Sequence, residues 1–300
     1  SVTNMVAEVI QSVGTEEQKC RYIPALCDGT FYAGAFGLTE AEAGSDPSAM
    51  KTTAVPDGNS WILNGRKVFI TSAEYAGIVV VWAVTDTSAP RGRGISAFLV
   101  EPGFQGFAVG KDESKMGQLG SSTNEIILED CRVPKENLLG NENEGFKIAV
   151  KELAGGRIGI GSMALGIGLA AMDFATGYAN ERVQFDVPII QHQAIQWMIA
   201  DNYTSLEAAR LLLLQAAYLK ENNKPFMKEA SMAKLFATEA ANKACYDAMQ
   251  ILGGYGYTKD YPIERLYRDV RVTSIYEGTS QIQRLIIAKS YMDDAKVNAG

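Results

Sequence analysis

Apolar positions change their period twice along the chain. Residues 1–28 carry them at helical spacing, and Thr15-Glu16-Glu17-Gln18 reads as a capping box ahead of Cys20, Tyr22, Ile23 and Leu26. From about Phe31 to Val133 the pattern shortens to the alternation of strands. Trp61–Leu63, Val68–Ile70, Ile78–Val84, Ser96–Val100 and Glu125–Leu128 predict strands, with Asp57-Gly58-Asn59 and Asn64-Gly65 as hairpin turns. Beyond Pro134 the helical period returns and predicts long helices over roughly 144–181, 189–221, 226–252 and 279–292. Asn222-Asn223-Lys224-Pro225 and Gly253-Gly254-Tyr255-Gly256 punctuate them. The expected class is α+β, mainly α: a β-sandwich or barrel followed by a C-terminal four-helix bundle with Met and Ala in its core. The expected division is a helical segment 1–28, a middle β-domain 29–135 and a helical bundle 136–300.

Composition narrows the function classes. Three hundred residues, 47% of them hydrophobic, can bury a large core and suggest about two domains. A net charge of −7 argues against a nucleic-acid or anionic-membrane surface, so an anionic ligand needs local basic residues or helix N-termini. Cys20, Cys27, Cys131 and Cys245 are scattered without CxxC spacing, as expected of free thiols in a reducing compartment. The single histidine, His192, excludes a multi-His metal site and reads as a satisfied helix residue, far from any nucleophile elbow. No signal peptide is expected, and the apolar run Ile158–Met172 reads as a buried helix too short to span a membrane.

Two glycine patterns and one carboxylate carry candidate chemistry. Gly166-Ile167-Gly168-Leu169-Ala170-Ala171 matches a dinucleotide fingerprint but falls inside a helical pattern, where small residues serve close packing. Phe36 to Pro47 reads as a strand end followed by a polar glycine-containing loop, with donors available to a ligand. Phe69-Ile70-Thr71-Ser72 sets an aromatic beside hydroxyls at another strand end, where it can pack on a flat ring or lie in the core. Glu277 precedes Gly278 and the N-cap residues Thr279 and Ser280, at the mouth of the last helix. A carboxylate there can act as a general base beside donors that stabilise a developing oxyanion, or can be an ordinary solvated glutamate.

Together these pieces resemble the acyl-CoA dehydrogenase family. The matching runs are Gly14-Thr15-Glu16-Glu17-Gln18-Lys19, Leu38-Thr39-Glu40 with Ala43-Gly44-Ser45-Asp46, and Asn64-Gly65-Arg66-Lys67 leading to Ile70-Thr71. They continue in order through Lys115-Met116-Gly117, Gly155-Gly156-Arg157-Ile158, Glu181-Arg182 with Gln184-Phe185, Gln250 to Gly254, and Ile275 to Thr279. The resemblance implies Cα–Cβ dehydrogenation of an acyl-CoA thioester with bound FAD, electrons passing to electron-transfer flavoprotein. It implies Glu277 as the catalytic base, with its N–H holding the thioester carbonyl; Ser45, Arg157 and Gly278 face the substrate. Implied FAD contacts are Phe36, Leu38, Thr39, Gly44, Ser45, Phe69, Ile70, Thr71, Thr279 and Gln281. Arg182, Gln184, Phe185, Gln193, Gln250, Gly253 and Gly254 are implied to reach the FAD of a neighbouring subunit, hence a homo-oligomer, usually a tetramer.

Gly at 156, where some members carry the base, and Glu at 277 resemble the short- and medium-chain type; Gly253 to Pro262 looks most like the butyryl-CoA branch. Departures from the pattern are Phe69 for Trp, Ala154 for Asp, Asp186 for Gly and Ala41 for Pro. Family members begin with a further helical domain, of which residues 1–28 resemble the final part. The chain is therefore expected to be a truncated piece, or half of a split enzyme. A bacterial cytoplasmic or mitochondrial-matrix location is implied. Two alternatives keep the sequence evidence but change the outcome: an oxidase using oxygen, and a non-catalytic assembly paralogue.

Overall fold

The computed structural model describes residues 1–298, which form two compact units. The first comprises Ser1–Lys115 with Leu119–Leu153; the second comprises Met116–Gln118 with the chain from Ala154 onward.

In the first unit, α1 (Val2–Val13) and α2 (Glu16–Cys27) precede the sheet, and the Thr15 capping box forms with both reciprocal bonds. The strands are β1 (Ala33–Gly37), β2 (Thr53–Asp57), β3 (Ser60–Thr71), β4 (Ala76–Val84), β5 (Ile95–Val100), β6 (Phe107–Asp112), β7 (Thr123–Pro134) and β8 (Leu138–Leu139). They form one sheet in the order β6-β7-β3-β2-β4-β5-β8, with β1 parallel to β4. Alternation along β4 sends Ile78, Val80 and Trp82 to a core shared with α1 and α2, and Val79, Val81 and Ala83 to the opposite core. Trp61 of β3 meets Phe98 of β5 edge-on at 5.4 Å although two strands separate them in the sheet. The sheet therefore curls over its second core in the manner of a sandwich.

One turn differs from expectation. Asp57-Gly58-Asn59 does close the β2–β3 hairpin, but Asn64-Gly65 lies inside the twelve-residue β3. Gly65 sits at a register shift against β7 with φ 151°, and a Cβ there would come within 2.4 Å of Thr52 Oγ1. The glycine serves a bulge and a close approach, not a reversal.

A buried ion pair fixes the loop after β1. Lys67 and Glu40 are both inaccessible, with Lys67 Nζ 2.7 Å from Glu40 Oε1 and 3.2 Å from the Leu38 carbonyl. The Lys51 and Thr52 N–H groups also donate to Glu40, and the Val68 N–H donates to the Thr39 carbonyl. Burial works against both charges. It draws Lys67 down to about 8, whereas in Glu40 the Lys67 charge and these donors outweigh burial and hold the carboxyl below its usual value.

In the second unit the framework is α3 (Gly145–Glu181, beginning in the first unit), α4 (Gln193–Glu221), α5 (Met227–Leu252) and, after α6 (Gly254–Tyr257) and α7 (Ile263–Val270), α8 (Ser280–Asn298). Between α3 and α4 lies a hairpin of β9 (Val183–Gln184) and β10 (Val187–Pro188). The core is built from small residues: Ala164, Ala171 and Ala175 of α3 meet Leu206 and Ala209 of α4 and Ala237, Ala241 and Ala244 of α5. A Cβ on Gly168 would lie 2.8 Å from Leu206 and 3.1 Å from the Ala241 Cα, whereas one on Gly166 would meet nothing. The fingerprint lookalike is thus a packing device. The run Ile158–Met172 lies within α3, which covers the helix expected over roughly 144–181; its 37 residues include an 18-residue window of mean hydropathy 1.6, enough by length and composition to cross a membrane. Gly161 and Gly168 lie against residues of α4 and α5, and Arg157 is buried on the helix.

Two outcomes are expected in urea unfolding. Gly168→Val costs about 1–3 kcal/mol by overpacking, while Gly166→Ala is neutral or stabilising by up to about 1 kcal/mol. Lys67→Met costs about 3–5 kcal/mol by stranding Glu40, and Lys67→Met with Glu40→Gln recovers part of that loss.

Candidate functional site

The first unit gathers one group of expected ligand contacts. The Glu40–Lys67 pair and the Val68–Thr39 bond bring the loop from Thr39 to Ser45 beside the end of β3. Phe69 sits in the second register shift of β3 with φ 58°, and this left-handed backbone throws its ring outward, 65% exposed. Thr39 and Thr71 are half-buried, and Gly44 and Ser45 are exposed. Three neighbours turn their side chains away. Phe36 packs on Trp82 at 4.3 Å, Leu38 lies in the core beneath α1, and Ile70 lies in the opposite core, which leaves their backbones for any ligand. Ser122 Oγ, buried without a partner, belongs to a residue whose carbonyl receives the Ser72 N–H. The expected residues omitted it.

The second unit holds a hollow of about 660 Å³ lined by Arg182, Gln184, Phe185, His192, Gly253 and Gly254 among others. Gln193 and Gln250 are not part of that lining. Phe185 and Asp186, at φ 55° and 64°, form the tight turn between β9 and β10 and leave the Phe185 ring 87% exposed. Its edge meets His192 at 5.8 Å. His192 stands at the N-cap of α4 rather than within a helix, its ring nitrogen 3.4 Å from the Gln184 carbonyl. A Cβ on Gly254 would touch nothing, so backbone can approach a ligand there.

Glu277 lies between the short 3₁₀ turn Arg271–Ser274 and α8, also in the second unit. Thr279 caps α8, its Oγ1 accepting from the Ile282 N–H, and Gln281 is exposed on the first turn. Glu277 has φ 56° and Gly278 φ 86°, two left-handed residues in succession. Glu277 Oε1 is buried with no hydrogen-bond partner, and the Glu277 N–H donates to no group among the described residues. Burial pushes the carboxyl up to about 7, against the pull of Arg157 and Lys234. Arg157 is buried on α3, donates to Ser231 Oγ at 3.3 Å and leaves its Nε unpaired. Burial lowers its pKa and the Glu277 charge opposes that.

Sequence reasoning passed over Lys234, Ser231 and Gln283. Lys234 is fully buried, with Nζ 2.9 Å from the Gly278 carbonyl, and burial draws it down to about 8. Gln283, equally buried, donates to the same carbonyl at 2.8 Å. A signal was available. Lys234 interrupts the alanine stripe Ala230, Ala233, Ala237, Ala241 at a core position of the helical period, where a lysine has no place without a partner.

Comparison with known proteins identifies the family. The description "Acyl-CoA dehydrogenase, middle domain" matches residues 35–131, and "Acyl-CoA dehydrogenase, C-terminal domain" matches residues 143–292. The mitochondrial short-chain specific acyl-CoA dehydrogenase of Bos taurus is 52% identical over 94% of this chain and 69% of its own length. A subunit of the caffeyl-CoA reductase-Etf complex of Acetobacterium woodii is 51% identical over 92% of this chain and 72% of its own. The solved butyryl-CoA dehydrogenase of Megasphaera elsdenii superposes with a TM-score of 0.95 at 43% identity, over 97% of this chain and 76% of that one. With its middle and C-terminal domains both matched, and relatives of this identity across most of its length, the chain belongs to the acyl-CoA dehydrogenases, a family of flavin-dependent oxidoreductases.

Proposed function

We propose that this chain binds FAD and catalyses α,β-dehydrogenation of a short-chain acyl-CoA to the trans-2-enoyl-CoA, with Glu277 as the base and electron-transfer flavoprotein as the acceptor. The observation that carries the reading is the state of Glu277: buried, with one oxygen unpartnered, flanked by two buried cations and poised at about 7. Such a carboxylate can hold a negative charge at working pH yet is favoured by its surroundings once it has taken a proton.

The residues present fit FAD. Phe69 offers an exposed ring beside Thr39 and Thr71, Ser122 Oγ supplies an unpartnered polar atom next to them, and Gly254 clears backbone for close approach. In this reading Phe36, Leu38, Thr39, Gly44, Ser45, Phe69, Ile70 and Thr71 of the first unit are FAD contacts, as are Thr279 and Gln281 of the second. Arg182, Gln184, Phe185, Gln193, Gln250, Gly253 and Gly254 reach the FAD of a neighbouring subunit. When bound, the flavin accepts the hydride that leaves Cβ. Glu277 takes the proton from Cα onto a carboxylate oxygen, and its free N–H donates to the thioester oxygen as charge gathers there. Arg157 and Lys234 offset the carboxylate charge before transfer. Ser45 and Gly278 contact the CoA and thioester ends.

A homotetramer is the proposed assembly. Leu211, Leu214 and Tyr218 form an exposed apolar stripe along α4, each more than half exposed. The bacterial cytoplasm or the mitochondrial matrix is the proposed location; the Bos taurus relative is named as mitochondrial. The Acetobacterium relative's name favours a second reading, in which the same site runs in the reducing direction and Glu277 delivers a proton to Cα.

Anaerobic addition of butyryl-CoA to the FAD-loaded protein is expected to bleach the flavin absorbance, with octanoyl-CoA less effective. Glu277→Gln is expected to lower the bleaching rate by about 10²–10⁴. Equal rates in parent and variant would sink the assignment. Enoyl-CoA reduction by reduced electron-transfer flavoprotein outpacing butyryl-CoA oxidation would select the second reading, and hydrogen peroxide release would mark an oxidase.

The rate is expected to rise with pH and reach half its maximum near 7, as Glu277 ionises. Because the folded carboxyl holds its proton more tightly than the unfolded one, stability is expected to fall as pH rises from the unfolded value through about 7. Glu277→Gln escapes that loss and is expected to exceed the parent by about 1–3 kcal/mol at pH 8, the difference vanishing near pH 4.

A further inference from the structure

The turn that carries Glu277 is held by side chains from two helices, α8 just after it and α5 more than forty residues before it. Two consecutive left-handed residues are a costly arrangement for a glutamate, and such backbone persists only where the surroundings over-determine it. Here the surroundings are two inaccessible side chains. Gln283 Nε2 donates to the Glu277 carbonyl at 3.3 Å and to the Gly278 carbonyl at 2.8 Å. Lys234 Nζ donates to the Gly278 carbonyl at 2.9 Å from the opposite side, on α5. A Cβ on Gly278 would lie 2.7 Å from Gln283 Nε2, so the amide is packed directly against the turn. Downstream, Ser280 Oγ donates to Glu239 Oε1 at 2.5 Å, a second tie from α5. One turn before Lys234, Ser231 receives Arg157.

We infer that Lys234 and Gln283 are positioning residues for the base: their donors clamp the Glu277–Gly278 carbonyls from two helices, and this clamp fixes the direction of the Glu277 carboxylate and N–H. The inference rests on the reading of Glu277 as the base. Lys234 also belongs to a compact charge set, since Arg157 of α3, Glu239 of α5 and Glu277 all act on it. Loss of the ammonium therefore removes a hydrogen bond and a charge, whereas loss of the Gln283 amide removes hydrogen bonds alone. The two variants separate the contributions.

The test uses the FAD-loaded protein with butyryl-CoA, after circular dichroism and flavin stoichiometry confirm folding. Lys234→Met is expected to lower kcat by about 10–100-fold with KM changed less than threefold, as small misplacements of a reacting group do. Gln283→Leu is expected to lower kcat in the same sense by a smaller factor. In Lys234→Ala, added propylamine is expected to restore part of the lost kcat. Without FAD or substrate, amide exchange is expected to quicken across residues 276–283 in both variants while α1 is unchanged. Values of kcat within twofold of the parent, or an unchanged exchange pattern, would overturn the clamp. Where Lys234→Met fails to fold, Gln283→Leu decides by the same two readouts. An inactive Glu277→Gln beside a fully active Lys234→Met rejects the clamp alone; a fully active Glu277→Gln rejects the base itself.

Discussion

A buried carboxylate with two buried cations near it, proposed here to exchange a proton with substrate, sets the terms for the helical unit. Burial alone would keep Glu277 protonated, and direct ion pairs would hold its charge too firmly for it to accept a proton. The unit settles between these limits by burying Arg157 and Lys234 nearby while engaging each with another group, Ser231 and the Gly278 carbonyl. Both partners lie on or against α5, whose alanine stripe lets α3 and α4 pack closely around it. The small residues of the bundle thus decide where the two cations stand, and the cations offset part of the rise in proton affinity that burial imposes on Glu277.

The β unit solves a related problem with the same residue type. Lys67, like Lys234, is a fully inaccessible lysine whose ammonium grips a backbone carbonyl of an irregular segment. In both places the lysine reaches from a regular element, strand β3 or helix α5, to an irregular segment. A long aliphatic stem with a charged tip suits this task, because the stem packs among apolar neighbours while the tip organises backbone that no ladder satisfies.

Much of the fold could be read from the residues. The Thr15 capping box, the continuous apolar runs of β4 and β5 and the four long helices each carry a local signal that the structure repeats. The shorter elements escaped, since β6 and β8 have little apolar alternation and α7 is only eight residues long. Asn64-Gly65 misled because a glycine at a bulge and a glycine in a hairpin look alike until the partner strand is known. Of the site, Glu277 and Arg157 were visible through ordered motifs. Lys234, Gln283 and Ser122 were not, because their meaning depends on burial and on backbone geometry that no local residue pattern encodes.

Phe69, Phe185 and Glu277 share one awkwardness: each is a large L-residue in left-handed backbone, where glycine or asparagine would sit more comfortably. None of the three is rewarded by core packing for that discomfort, since two are exposed rings and the third is a strained acid. In the proposed reading it is the activity that keeps such residues in place. A duplicated copy of this chain freed from catalysis would drift first at these three positions, and would grow sturdier as it did so. Their side chains therefore form a built-in record of whether a given relative still works for its living.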